Sequence, residues 1–335
     1  MRFILTALAL VLLSCGAQAA GPGGFASPAT HPIAGYPPVA PPSQASGVGY
    51  NTLTWTTGMA ASDIDTGLTY SPGFKLYCNN FVAFGGTGSP QACPTLTRNS
   101  DASVNIQRGP VSGDSGTVTS AAWVPPYGSV GTAFGGGMYI EARILQVGPP
   151  NIVTSWGAFW GMSLEHLAFS DNDTGEHWAG QPAGYSHFVE NDFMEYLDSS
   201  SVNNYAATMH DWYGIFNSTC AGQNYCNQQN ANFVHTASSL QQAYHTYGML
   251  WVPATVSTSG YVQYYFDNNP VGSPTTWTQY VATSTSPPPT GQPWEYGIED
   301  TQHLVVILNG GPATYMQVQW VNVWQLNSSG NWVNH

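Results

Sequence analysis

Charge is what this chain has least of. Only 7% of its 335 residues are charged, five Lys or Arg against eighteen Asp or Glu, for a formal charge of −13. So sparse and acidic a surface excludes the basic patches that hold nucleic acid or an anionic membrane. The apolar run from Phe3 to Leu13 is too short to span a bilayer. Cysteines number five, with no CxxC pair and no His/Cys spacing that would suit zinc. Apolar periodicity at helical spacing is missing too, apart from a short window at Ser238–Tyr244. A parallel α/β fold, which needs helical crossovers, is thereby excluded.

What is present begins with a secretory signal over residues 1–19: one basic residue (Arg2), the apolar run, and the small-residue exit Ala17-Gln18-Ala19. Leu12-Leu13-Ser14-Cys15 also loosely fits a lipid-attachment pattern, which would tie the mature protein to a membrane through Cys15. Residues 20–47, rich in Gly, Pro, Ala and Ser, read as a linker without a core of its own, and residues 48–335 as one domain. Loss of Arg2 with the signal leaves four basic residues against eighteen acidic ones, a mature charge of −14. A surface with so few charges changes little when carboxylates protonate, which points to an acidic habitat. Export favours two disulfides among Cys78, Cys93, Cys220 and Cys226. Three connectivities are open; proximity favours Cys78–Cys93 and Cys220–Cys226.

The body of the chain is a succession of short β-branched and aromatic runs cut by Gly, Pro, Asn and Ser. Residues 52–55, 74–78, 103–107, 138–147, 154–162, 205–213, 245–252, 261–267, 303–309 and 316–326 all read as strands. In the last, alternation predicts Val318, Trp320, Asn322 and Trp324 on one face and Gln319, Val321, Val323 and Gln325 on the other. Strands at this density predict an all-β sandwich, a jelly roll of two antiparallel sheets.

One strand stands out. VENDFMEYL, residues 189–197, places Glu190, Asp192 and Glu195 within six positions of a chain otherwise poor in charge. Glu190 and Asp192 share a face; Glu195, three beyond Asp192, would point to the other side of a regular strand. A β-bulge at Phe193 or Met194 returns it to the same face. Carboxylates about 5.5 Å apart at an effective dielectric near 20 repel by roughly 3 kcal/mol, enough to keep one protonated while a neighbour stays ionised. A retaining glycosidase needs that division of labour. The same spacing would also suit a solvated acidic face or a metal site.

Several runs, in this order, resemble family 16 glycoside hydrolases: GGGMYIEARIL (135–145), SWGAFWGM (155–162), ENDFMEY (190–196) as Glu-x-Asp-x-x-Glu, ATMHDW (207–212), YHTYGMLWVP (244–253), HLVVILNGG (303–311) and MQVQWVNVWQ (316–325). The resemblance spans roughly residues 130–326 and implies a jelly roll with a concave glycan cleft. It further implies retaining endo-acting cleavage of a β-linked polysaccharide, with Glu190 as nucleophile, Glu195 as acid/base and Asp192 between them. The first expectation for substrate is a β-1,3- or mixed β-1,3/1,4-glucan. A glycan-binding sandwich that does not cut, or a cell-wall transglycosylase, are the alternatives. No cofactor is required and no catalytic metal is expected; a structural calcium ion is left open, as is the expectation of a monomer. Asn191 departs from the family's usual apolar residue and, pointing between the sheets, needs a hydrogen-bond partner. A long insert, Leu164–Ser186, is expected to form a loop beside the cleft carrying Trp178.

Other side chains divide between cleft and core. Trp156 and Trp160 lie four apart on one strand and serve equally well under a sugar or in a sandwich core. Trp178 and Trp212 flank the site, and His210, on the following strand, is in reach of Glu195 or substrate. His245 belongs to a strand edge. Residues 171–176 (DNDTGE) repeat the acidic spacing without strand character and read as a solvated turn. Glu141 and Arg143 are placed to pair on a sheet surface, and Glu295, Glu299 and Asp300 to line a cleft rim.

Overall fold

The computed structural model describes residues 38–78, 93–108, 117–124, 128–149, 157–168, 181–196, 201–220, 225–280, 293–311 and 313–334. In chain order, β1 (Thr52–Thr57), β2 (Ile64–Asp65), β3 (Leu76–Cys78), β4 (Thr95–Arg98), β5 (Val104–Gln107) and β6 (Thr117–Thr119) come first. Next are β7 (Ala121–Val124), β8 (Gly128–Ala133), β9 (Met138–Val147), β10 (Gly157–Ser163), β11 (Tyr185–Tyr196), β12 (Asn204–Ile215) and β13 (Cys226–His235). The chain continues through β14 (His245–Val252), β15 (Gly260–Phe266), β16 (Asn269–Trp277), β17 (Leu304–Asn309), β18 (Tyr315–Gln325) and β19 (Trp332–Asn334).

These strands make a jelly-roll sandwich, the fold that the resemblance implies. One sheet runs β13-β12-β11-β10-β17-β6-β3-β2; the opposing sheet runs β16-β15-β14-β9-β18-β5-β4, with β1 also paired to β18. Between them lies the main core. Val189, Phe193 and Met194 of β11, Met209 of β12 and Phe159 of β10 meet Ile140 of β9 and Met249 and Trp251 of β14. Burying side chains of this size stabilises by roughly 1.5–3 kcal/mol each, which fixes the register of every strand involved. β11 thus turns one set of side chains inward and presents the alternate set on the outward face of its sheet.

Two features of the sandwich differ from a pair of purely antiparallel sheets. β2 and β3 pair in parallel at one edge. A third, small sheet, β19-β8-β7, packs on the outward face of the first. Its Ala121, Ala122, Val130 and Ala133 cluster with Tyr77, Met162, Val305 and Ile307. That cover occupies the face at β17, β6 and β3 and leaves the β11–β13 end to the carboxylates.

Local readings are corrected at several places. In β18 the alternation breaks, because the register against β9 slips between Val318 and Trp320. Met316 and Val318, then Val321 and Val323, consequently face the core, while Trp324 joins a separate outer cluster. Residues 43–46, assigned to the linker, form a short helix, α1 (Ser43–Ser46). Ala45 in it is fully buried against Tyr50, Tyr139, Leu250 and Trp324. The outer face of the second sheet is apolar there and would otherwise meet water, and Gln44 Nε2 fastens the cover by donating to the Tyr139 hydroxyl at 2.6 Å. Ser238–Tyr244 is turn rather than helix, and the insert after β10 opens instead with a short helix, α2 (Leu164–Ala168). Glu141 does not pair with Arg143: it is buried and accepts from the Tyr139 hydroxyl at 3.0 Å, while Arg143 Nε donates to Gln319 Oε1 at 2.8 Å.

Disulfides join Cys78 to Cys93 and Cys220 to Cys226. No helix among the described residues is long and apolar enough to cross a membrane.

Candidate active site

The acidic strand is bulged. Against β12 the partners step from Asp192↔Thr208 to Glu195↔Ala206, three residues on β11 for two on β12. Against β10 they step from Met194↔Phe159 to Asp192↔Trp160, leaving Phe193 as the extra residue. Phe193 and Met194 both go into the core, where Phe193 meets Phe159 edge-on at 4.7 Å. Glu195 therefore emerges on the same outward face as Glu190 and Asp192. Two apolar residues with nowhere to go but inward are the local reason for the bulge.

The three carboxyl groups do not share the same surroundings. Glu190 accepts from the Trp212 indole N–H at 2.8 Å. Asp192, 1% exposed, lies 3.1 Å from His210 Nε2 and is hydrogen-bonded to Glu195. Burial holds the Glu190 carboxyl well above the usual range, Asp192 and Glu195 add to the rise, and His210 and the Trp212 N–H oppose it. Asp192 is also pushed well up, first by burial and then by the charge and hydrogen bond of Glu195. Crowding of this kind keeps protons within the group and lets neighbouring carboxyls take different protonation states. The Asp192, Glu195 and His210 ligand atoms all lie within 4.8 Å of one another, close enough to hold a cation.

Aromatic side chains build the flank. Trp212 stands directly opposite Phe188, and His210 opposite Glu190. The rings stack along the face: Phe188 with Trp212 at 6.5 Å and 19°, and Trp212 with His210 at 5.4 Å and 17°. His166 of α2 lies flat on Phe188 at 3.6 Å. His210 Nε2 stands 3.1 Å from Asp192, with Glu195 in the same cluster, and its Nδ1 pairs with Asn227 of β13. On the opposite side Trp160, half-buried, faces Asp192 across the strand pair and donates to Asn309 Oδ1 at 2.7 Å. The structure thus gathers Glu190, Asp192, Glu195, Trp160, His210 and Trp212 on one face. Trp156, Trp178 and the 171–176 turn lie outside the described residues. His245 opens β14 and binds Asp267 at 2.7 Å, far from this face in the sheet order.

Behind the strand, Asn191 finds the partners it needs. Its Nδ2 donates to Glu299 Oε1 at 2.6 Å and its Oδ1 accepts from the Tyr264 hydroxyl at 3.1 Å. Glu295 and Glu299 are therefore not rim residues; both are buried, on a 3-10 turn (Glu295–Thr301) that packs against β11. Asp300 is tied to the opposing sheet by the indoles of Trp251 and Trp277 and the N–H of Ala254. Sequence reasoning missed Asn227 and Asn309, which hold His210 and Trp160. Asn309 ends a strand already read from the sequence, but β13, with CNQQNANFVH, carries too few apolar residues to announce itself.

No family model matches the chain, and no curated protein does. Solved structures do align. An endo-1,3-β-glucanase from Streptomyces sioyaensis is 17% identical over 84% of this chain and 97% of its own, TM-score 0.47. A κ-carrageenase from Pseudoalteromonas carrageenovora is 16% identical over 71% and 99%, TM-score 0.35. A legume lectin-like domain from Entamoeba histolytica is 8% identical over 72% and 88%, TM-score 0.36.

Proposed function

We propose that this protein is a secreted, retaining endo-β-glycanase, with a β-1,3- or mixed β-1,3/1,4-glucan as its first-choice substrate. The observation that carries the reading is the register shift between Asp192 and Glu195, which puts three carboxyls on one outward face and makes two of them share a hydrogen bond. A solvated acidic face would have no reason to bury Asp192 or to aim an indole N–H at Glu190.

In the proposed reaction, Glu190 attacks the anomeric carbon while ionised, a form favoured by the Trp212 N–H. Glu195 gives its proton to the leaving oxygen, and the nearby Asp192 holds that proton in place until the sugar arrives. Glu195, now ionised, takes a proton from the incoming water, whose oxygen releases the sugar from Glu190. Both displacements are performed by carboxyl groups, so the proposed chemistry calls for no cofactor. The protein acts as a monomer on polysaccharide outside the cytoplasm, with Cys15 lipidation the alternative to free release.

Glu190→Gln, which keeps size and the acceptor for Trp212, is expected to abolish release of reducing ends from β-glucans without changing the melting temperature. Wild-type turnover in that variant overturns the reading. A variant and parent that both bind glycan and never cut it would indicate a glycan-holding sandwich; products longer than the substrate would indicate transfer.

A further inference from the structure

We infer that the site takes an uncharged glycan and rejects polysaccharides bearing sulfate or carboxylate groups near the scissile bond. The inference rests on the glycanase reading for its substrate and on the scarcity of cationic residues and the strands that carry them for its selectivity.

Recognition of sulfate or uronate needs Arg or Lys within reach, because an anion brought beside carboxylates without one is repelled and loses its water uncompensated. The whole chain has five such residues: Arg2, Lys75, Arg98, Arg108 and Arg143. Arg2 belongs to the N-terminal apolar segment, and no other part of the chain outside the described residues contains Lys or Arg. Arg98, on β4 of the opposing sheet, spends its guanidinium on the carbonyls of Ala102 and Met59. Arg143, on β9 of that sheet, is held by Gln319 and lies over the Tyr244 ring. Lys75 precedes β3, four strands from β11 in the sheet order and so about 19 Å away. Arg108 follows β5 and donates its backbone N–H to Gly311. Gly311 is two residues beyond Asn309, which is itself two strands, about 10 Å, from Glu195.

What does line the face is suited to hydroxyl groups and apolar sugar surfaces. Row by row, the register sets Glu190, His210 and Gln229 opposite one another, and Phe188, Trp212 and Asn227 beside them. His210 holds its Nε2 3.1 Å from the buried Asp192 carboxylate and its Nδ1 against Asn227, so an anion approaching the imidazole would meet a carboxylate already in place. Gln229 is exposed, and Phe233, in the row of Glu195 and Ala206, is 82% exposed at the sheet edge. Phe233 is the only aromatic among the exposed large hydrophobic residues described. Amides and a bare ring at the end of an acidic face match neutral sugar rings.

The test uses one polymer in three forms: the neutral β-glucan cut fastest by wild type, the same glucan sparsely sulfated, and the same glucan acetylated to equal extent as a control for bulk. Sulfation is expected to lower kcat/KM on the order of 100-fold relative to acetylation, the repulsion between like charges about 6 Å apart at a dielectric near 20. Affinity electrophoresis of the Glu190→Gln protein should show retardation by neutral glucan and none by the sulfated form. Gln229→Arg, at an exposed position outside the reacting groups, should restore part of the lost binding. Equal cleavage or equal retardation by sulfated and acetylated glucan overturns the inference, as does failure to be retarded by any neutral glycan. Selective retardation by neutral glycan from a protein that cuts nothing would uphold the inference and remove the glycanase reading instead.

Discussion

Trp212→Phe isolates the one hydrogen bond that distinguishes Glu190 from its neighbours. Phenylalanine keeps a ring between Phe188 and His210 but deletes the N–H that Glu190 Oε2 accepts at 2.8 Å. A hydrogen bond to a charged group contributes roughly 1.5–3 kcal/mol. Burial already pushes Glu190 up, and the indole opposes that push. Removing it makes the ionised nucleophile harder to form, so the acid limb of the kcat/KM profile moves alkaline by about one to two pH units. Below the limb, activity falls roughly 10- to 100-fold; above the displaced limb most of it returns. Initial rates of reducing-end release from pH 3 to 9, with melting temperatures at each pH, read this directly. A uniform loss at all pH values with the limb unmoved would refute the reasoning and make Trp212 a sugar platform only.

Other outcomes follow from the buried polar groups. Burial raises Glu141 to about 7; because the folded form holds its proton more tightly than the unfolded chain, this stability is present in acid and lost as pH rises from about 4.5 through 7. The loss amounts to about 3 kcal/mol by pH 8, so Glu141→Gln should flatten the slope of melting temperature between pH 4 and 8; an unchanged slope would sink the assignment. Asn191→Leu strands Glu299 and Tyr264 without their partner and should cost about 1–3 kcal/mol in urea unfolding, with Asn191→Leu/Glu299→Leu recovering most of it. Additive losses in the double variant would show that the two residues are not coupled. Replacing Cys78 and Cys93 by serine opens a loop of 15-residue separation and should cost about 3 kcal/mol in the same assay.

The strands that were legible are those with inward apolar residues. Met138–Val147 and His245–Val252 match their sequence runs end to end, because both carry continuous apolar sets that must be buried. β13 escaped notice for the opposite reason: at a sheet edge it is held by backbone pairing to β12, which leaves no mark on side-chain composition. The slip in β18 was invisible because either register offers apolar residues at alternate positions, and only β9 selects between them. Glu299 and Asp300 read as surface because acids usually are; their partners Asn191, Trp251 and Trp277 come from other strands.

The amino-acid order by itself determined that this chain folds as stacked β-sheets, that three acids share one short strand, and that almost no positive charge is available anywhere. Those are properties of composition and local spacing, and no partner can alter them. The tertiary structure alone decided that Phe193 is the residue expelled from the ladder, that His210 stands beside Asp192, and that Trp212 donates to Glu190. It also decided that the first turn after residue 42 is cover and not tether. Each depends on which strand lies next to which, a matter of long-range pairing that a one-dimensional pattern does not contain.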